Sequence, residues 1–175
     1  MACSQTLKGL VNDCAASMGG IVEVYIANAA DVSAVTVTDG KVTGITMASS
    51  AKFKAYAFPR NTGHMDSNYA IDEAAGSKFV VTDLVLQFNR METTKRIEIT
   101  ALAQGELKVM VKDANGVYWF LGMDAAVKAS AGDGLTGTAR ADRNGYSITL
   151  QDNSLEMPHE ILVGTGGIDL STIVG

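Results

Sequence analysis

The sequence predicts a mainly β chain: an antiparallel β-sandwich or barrel with one flanking helix and a long extended hairpin. Three observations carry that expectation. Turn dipeptides, Asp39-Gly40, Asn115-Gly116 and Asn144-Gly145, stand between runs of β-branched and aromatic residues. Such dipeptides favour two-residue hairpins, because a type I′ turn needs positive φ at both central positions. The runs themselves alternate in polarity with the period of two that a half-buried strand requires. Finally, only one segment reads as a helix of useful length, so the alternating pattern of a parallel βαβ fold is missing.

The elements follow in order. Residues 1–20 are small and polar, with Leu7, Leu10 and Val11 offering at most a short helical face, and are expected to form an N-terminal arm. One β domain is expected over 21–163. It opens with Ile21 to Ala27, an alternating strand, followed by Val35 to Thr38 and Val42 to Met47 on either side of Asp39-Gly40. Lys52 to Phe58 alternates again and stops at Pro59, which cannot donate to a ladder. Asn61 to Ser67 reads as a polar loop. Then comes the long hairpin, with Asn68 to Glu73 on one side, a bend at Ala74 to Ser77, and Lys78 to Asn89 on the other. Its second arm exceeds the usual strand length of about five or six residues, leaving a surplus for pairing with another chain.

The helix is expected over about 91–104, from Met91 to Gln104, ending Ala101-Leu102-Ala103 before Gly105, although Ile97-Glu98-Ile99 alternates like a strand. Glu106 to Lys112 and Val117 to Leu121 flank Asn115-Gly116. Thr136 to Arg140 and Tyr146 to Leu150 are read as the strands around Asn144-Gly145. Ile161 to Val163 resumes the sheet, and the Gly-rich residues 164–175 are expected to be mobile or docked on a partner.

Composition narrows the function. The 175 residues are 47% hydrophobic, enough for one core of ordinary size, and only 19% charged, which invites association. A net charge of −5 argues against holding nucleic acid by phosphate neutralisation, and Lys52 and Lys54 read as a solvated strand face. No apolar run reaches the ~20 residues of a membrane span, and Met1 to Gly20 lacks the basic start of an export signal, so a soluble protein made in the cytoplasm, with no membrane anchor, is expected. Cys3 and Cys14, the only cysteines, are read as free thiols.

No motif supplies catalytic chemistry. Gly132-Asp133-Gly134-Leu135-Thr136-Gly137 matches a dinucleotide fingerprint by letter, but a strand is expected after it where a helix is needed, so it reads as a flexible loop. His64 and His159 have no nucleophile motif beside them, and the turns near Asp113 and Asp142 lack the first and last ligands of a calcium loop. Asp72 and Glu73 point to opposite faces and serve to solvate the hairpin. Trp119 is expected on the face opposite Tyr118 and Phe120, in the core or at a subunit contact. The chain is therefore read as a non-enzyme without cofactor or metal.

The wording around the turns is familiar. The stretch from Lys112 to Gly122, and Thr136 to Leu150 after it, resemble tail tube (major tail) proteins of tailed phages, particularly phages of Bacteroidetes hosts. The start, with Cys14, Gly19-Gly20-Ile21 and Val24 to Asn28, is similar to such proteins too. The resemblance implies a virion protein, made in the host cytoplasm, that forms hexameric rings stacked into a hollow tail tube. Its partners are then itself, other tail proteins and, transiently in the lumen, DNA. The hairpin residues Tyr69, Ile71, Asp72, Glu73, Lys78, Phe79, Val81, Leu84, Leu86 and Phe88 are expected at subunit interfaces or the lumen, with Asp72 and Glu73 repelling passing DNA. Two alternatives stay open: another virion ring or decoration protein, such as a tail terminator or connector, and a β-sandwich module that binds a ligand with loops such as Asn61 to Ser67.

Overall fold

The alternating segments become two sheets in a computed structural model that describes residues 7–12 and 14–175. In chain order the strands are β1 (Ile21–Asn28), β2 (Val32–Thr38), β3 (Lys41–Met47), β4 (Lys54–Tyr56), β5 (His64–Asp72), β6 (Ser77–Asn89), β7 (Leu107–Asp113), β8 (Tyr118–Leu121), β9 (Lys128–Leu135), β10 (Gly145–Ser154) and β11 (His159–Ile161). Helix α1 (Thr93–Gln104) joins β6 to β7, and a single turn of helix, α2 (Leu170–Ile173), ends the chain. The seven-stranded sheet runs β2-β3-β11-β8-β7-β1-β4 and the four-stranded sheet β5-β6-β10-β9. Pairing is antiparallel except for β11 beside β3, where Glu160 aligns with Lys41. This is the mainly β, sandwich-like fold with one main helix that the sequence predicts.

The period of two places apolar side chains on both faces of the large sheet. On one face Val24, Ile26, Val109, Val111 and Leu121 meet Leu84, Leu86, Phe88, Ile148 and Leu150 of the small sheet, with Leu102 of α1 joining them. On the other face Ala27, Met110, Phe120 and Ile161 form a second cluster with Phe53, Ile168 and Ile173. A side chain of this size contributes about 1.5–3 kcal/mol when buried, so neither face is stable uncovered. Helix α1 is mostly exposed and buries only Leu102 fully. The Tyr56 hydroxyl of β4 donates to Glu98 of the helix, tying it to the sheet edge.

The second cluster corrects the expectation for the C-terminus. Residues 164–175 cover the outer face of the large sheet of their own chain. Gly164 and Gly166, at φ +91° and +82°, turn the chain back, and the Ile168 amide donates to the Leu162 carbonyl at 2.7 Å. Asp169 caps α2 by accepting from the Ser171 amide at 3.0 Å, and the Phe53 amide donates to the Ile173 carbonyl at 2.8 Å. The glycines make a reversal here, and the sparse Ile168 and Ile173 fill the cluster.

The turns divide into three cases. Asp39-Gly40 is positive in φ at both residues, +52° and +77°, as a type I′ hairpin requires. Asn115-Gly116 also closes a hairpin, but only Gly116 is positive, and the Gly116 amide donates to the Asp113 carbonyl: a type I turn followed by a left-handed residue. Asp113 stabilises it, accepting from the amides of Asn115 and Val117 and, through Oδ2, from the Trp119 indole at 3.1 Å. Trp119 is half-buried opposite buried Phe120, as alternation predicts.

Asn144-Gly145 is not a hairpin turn. The strand before it is Lys128–Leu135, and Thr136 to Arg140 lies in the connection. Asn144 instead clasps the junction of β6 and α1, its side-chain oxygen accepting from the Met91 amide at 2.8 Å and its carbonyl from the Arg90 amide at 2.6 Å. Gly145 lies so close to β6 that a Cβ there would sit 2.0 Å from the Phe88 carbonyl oxygen, which explains the glycine without a turn. The connection is shaped by Asp142, whose carboxylate accepts from the Thr138 and Ala139 amides at 2.8 and 2.7 Å. The bonds from Ala139 and Thr138 hold its carboxyl below the ordinary value.

Two further expectations change with it. Gly132, Asp133 and Gly134 belong to β9 and not to a loop. Gly134 lies beside the Tyr146 ring of β10, and Asp133 accepts from Arg143 and Ser147, each at 2.8 Å. Within the stretch read as a polar loop, His64 to Ser67 are already β5.

If the C-terminal segment closes the outer face, Ile173→Ala should lower the unfolding free energy by about 2–4 kcal/mol. Urea unfolding followed by circular dichroism checks this, and an unchanged midpoint would show that the segment is not part of the core.

Candidate assembly surface

The hairpin of β5 and β6 is the longest continuous pairing of two sequence neighbours, from His64 opposite Val85 to Asp72 opposite Ser77. On its other side β6 pairs with β10, and that ladder ends at Val80 opposite Ser154. Beyond Val80 the hairpin is therefore only two strands wide. Asp72 orders its bend by accepting from the Ala74 and Ala75 amides, both at 3.0 Å, and Gly76 supplies the positive φ, +67°.

Alternation defines what the projecting part presents. Met65, Ser67, Tyr69 and Ile71 of β5 share a face with Leu84, Thr82, Val80 and Lys78 opposite them. At its root this face is interior: Leu84 is fully buried, and the Ser67 and Thr82 hydroxyls pair at 2.8 Å. Towards the tip the opposing sheet gives out. Tyr69 is 60% exposed and Ile71 58%, although they continue the same stripe that fills the core. On the reverse face Phe79 is 36% exposed. Val80, opposite Tyr69, is still buried at 1% exposure, so Tyr69 and Ile71 carry the core-facing stripe past its covered end and are more than half exposed.

The residues singled out on the hairpin consequently fall into three groups. Leu84, Leu86 and Phe88 lie in the interior of this chain, at 0%, 0% and 8% exposure, and are not available to a neighbour, which corrects the interface expectation for them. Val81 is half-buried on the reverse face. Tyr69, Ile71, Asp72, Glu73, Lys78 and Phe79 gather at the exposed tip. The alternation of β6 was legible, but the point where β10 stops pairing with it, Val80 opposite Ser154, is not encoded in the hairpin's own residues.

The root of the hairpin is held by polar groups that carry no sequence motif. Asp152 of β10, 3% exposed, accepts through Oδ2 from the Gly122 amide and from the Ser154 hydroxyl, each at 2.9 Å. The first bond joins the small sheet to the end of β8. Lys108 donates to the Gly122 carbonyl. Burial pushes the Lys108 ammonium down from its ordinary pKa, against the pull of Asp152 and Asp124. Leu155 beyond β10 donates from its amide to Asp124 at 2.7 Å.

At the far end of β8 lies the root of the N-terminal arm. The Met18 amide donates to Asn115 Oδ1 at 2.8 Å, the Asn115 side-chain amide donates to the Met18 carbonyl at 3.1 Å, and the Ala114 amide donates to the Gly20 carbonyl at 3.0 Å. From residue 7 to that point the described residues form no helix or strand, so the short helical face does not appear. Cys14 is an exposed free thiol, and Cys3 lies outside the described residues. Among the described residues no helix is long and apolar enough to cross a membrane, and no group of three His, Cys, Asp or Glu is placed to hold a metal ion.

At concentrations where the chain is dispersed, Ile71→Asp should change its stability by less than about 0.5 kcal/mol, because the side chain lies on the surface, more than half exposed. Leu84→Asp should unfold it by burying an unpaired carboxylate. Equal losses in urea titrations would place Ile71 within the monomer's own core.

No protein-family model matches the chain, and no curated protein or solved structure shows significant similarity to it.

Proposed function

We propose that this is a self-assembling structural protein of a phage tail: copies join through the β5–β6 hairpin into rings, hexameric by the family resemblance, that stack as the tail tube through which DNA is delivered. The observation that carries the reading is the overhang. A stripe of side chains that builds the core at Leu84 and Val80 continues as Tyr69 and Ile71, which are more than half exposed, and an isolated two-stranded hairpin is marginally stable alone in water. A second copy is the simplest cover, since exposed apolar surface of this kind favours protein contact.

The acidic net charge of −5 supports the same reading, because a channel wall of like charge lets DNA slide without sticking. Asp72 and Glu73 are the proposed lumen residues of the tip, with Asp72 also ordering the bend. The role is architectural, and other tail proteins are the proposed partners at the ends of the tube.

Negative-stain imaging of the purified chain over a range of concentrations tests this. Stacked rings or tubes are expected, and Ile71→Asp should leave the protein folded but dispersed. Discrete single rings would favour a terminator or connector role, and a persistent monomer would contradict assembly altogether.

A further inference from the structure

The arm and the overhang both expose large apolar side chains, and they are rooted at opposite ends of strand β8. Leu7, Leu10 and Val11 are 91%, 103% and 96% exposed, more open than the other large apolar side chains among the described residues. Their arm is rooted at the Asn115 turn that precedes β8. The overhang is rooted at the other end, where Gly122 meets Asp152 and β10 stops supporting β6.

We propose that the arm of one copy lies beneath the hairpin overhang of the next, Leu7, Leu10 and Val11 covering Tyr69 and Ile71. This rests on the reading that copies join through the hairpin, and it names the segment that fills the contact. Extended, the chain from Leu7 to Met18 reaches roughly 36 Å, enough to leave its own domain and enter a neighbour's. Within one copy that reach is not used, as the exposure of all three side chains shows.

Docking the arm takes the apolar side chains of both partners out of water. A contact between two different surfaces at opposite ends of a strand is heterologous. Repeated from copy to copy, it closes into a ring or extends without limit, unlike a symmetric dimer contact, which stops at two.

Disulfide trapping reads the contact directly, because a bridge forms only where Cβ atoms come within about 4 Å. In a Cys3→Ser, Cys14→Ser background, Leu10→Cys and Ile71→Cys are made as separate proteins. Mixed under mild oxidation, they should yield a covalent dimer that neither gives alone and that Leu10→Cys does not give with Asp39→Cys, on a turn elsewhere. The variant carrying both cysteines should yield a ladder of covalent oligomers. A bridge within single chains would place the arm on its own hairpin and overturn the proposal. So would covalent dimers of Ile71→Cys alone, which mark a tip-to-tip contact. Rings or tubes without the 10–71 bridge would overturn the arm's role while leaving assembly through the hairpin intact. A chain dispersed at every concentration would overturn both.

Discussion

Strand β6 is longer than the sheet that can cover it, and the rest of the molecule is arranged around that mismatch. Its thirteen residues pair with β5 along one edge and with β10 along the other. Over the stretch that both neighbours support, Leu84, Leu86 and Phe88 pack against β1, β7 and β8 and make the interior. Past Val80 the same strand carries the same alternation out of the domain. One strand therefore supplies both the cohesion of the fold and the surface proposed to join copies, and the boundary between these roles is the point where β10 ends.

A projecting hairpin can seat a partner only if its root is rigid. Hydrogen bonds at that root are individually worth only about 1 kcal/mol net, yet a buried carboxylate such as Asp152 would be costly without them. Its bonds to Gly122 and Ser154 link the two sheets at the place where the hairpin departs, and the Ser67–Thr82 pair stiffens the interior face just before it becomes exposed. At the opposite side Asn144 and Gly145 fasten the β6–α1 junction. The C-terminal segment closes the outer face of the large sheet. The tip and the arm are left uncovered.

Much of this was legible in the residues, and the failures have physical causes. The period of two located most strands, and Asp39-Gly40 gave its turn correctly because both residues take the left-handed conformation. Asn144-Gly145 misled because a glycine serves a close backbone approach as readily as a turn, and the neighbour that demands it, Phe88, is distant in sequence. The Gly-rich end misled for a related reason: glycines that reverse a chain and glycines that loosen it have the same letter, and the burial of Ile168 and Ile173 depends on a sheet face completed by Phe53, Met110 and Phe120. Of the candidate surface, its apolar and acidic residues were visible, but the division between buried Leu84 and exposed Ile71 needed the register of β10. Asp152 gave no signal, since its role exists only against Gly122.

The central claim is that the hairpin tip, and not the body of the sandwich, carries the contact between copies. Amide hydrogen exchange compared between dispersed chain and assembled material addresses it most directly. The account predicts added protection concentrated in residues 67–80, with the Asp39-Gly40 hairpin unchanged. Assemblies in which residues 67–80 exchange as fast as in the dispersed chain would contradict it.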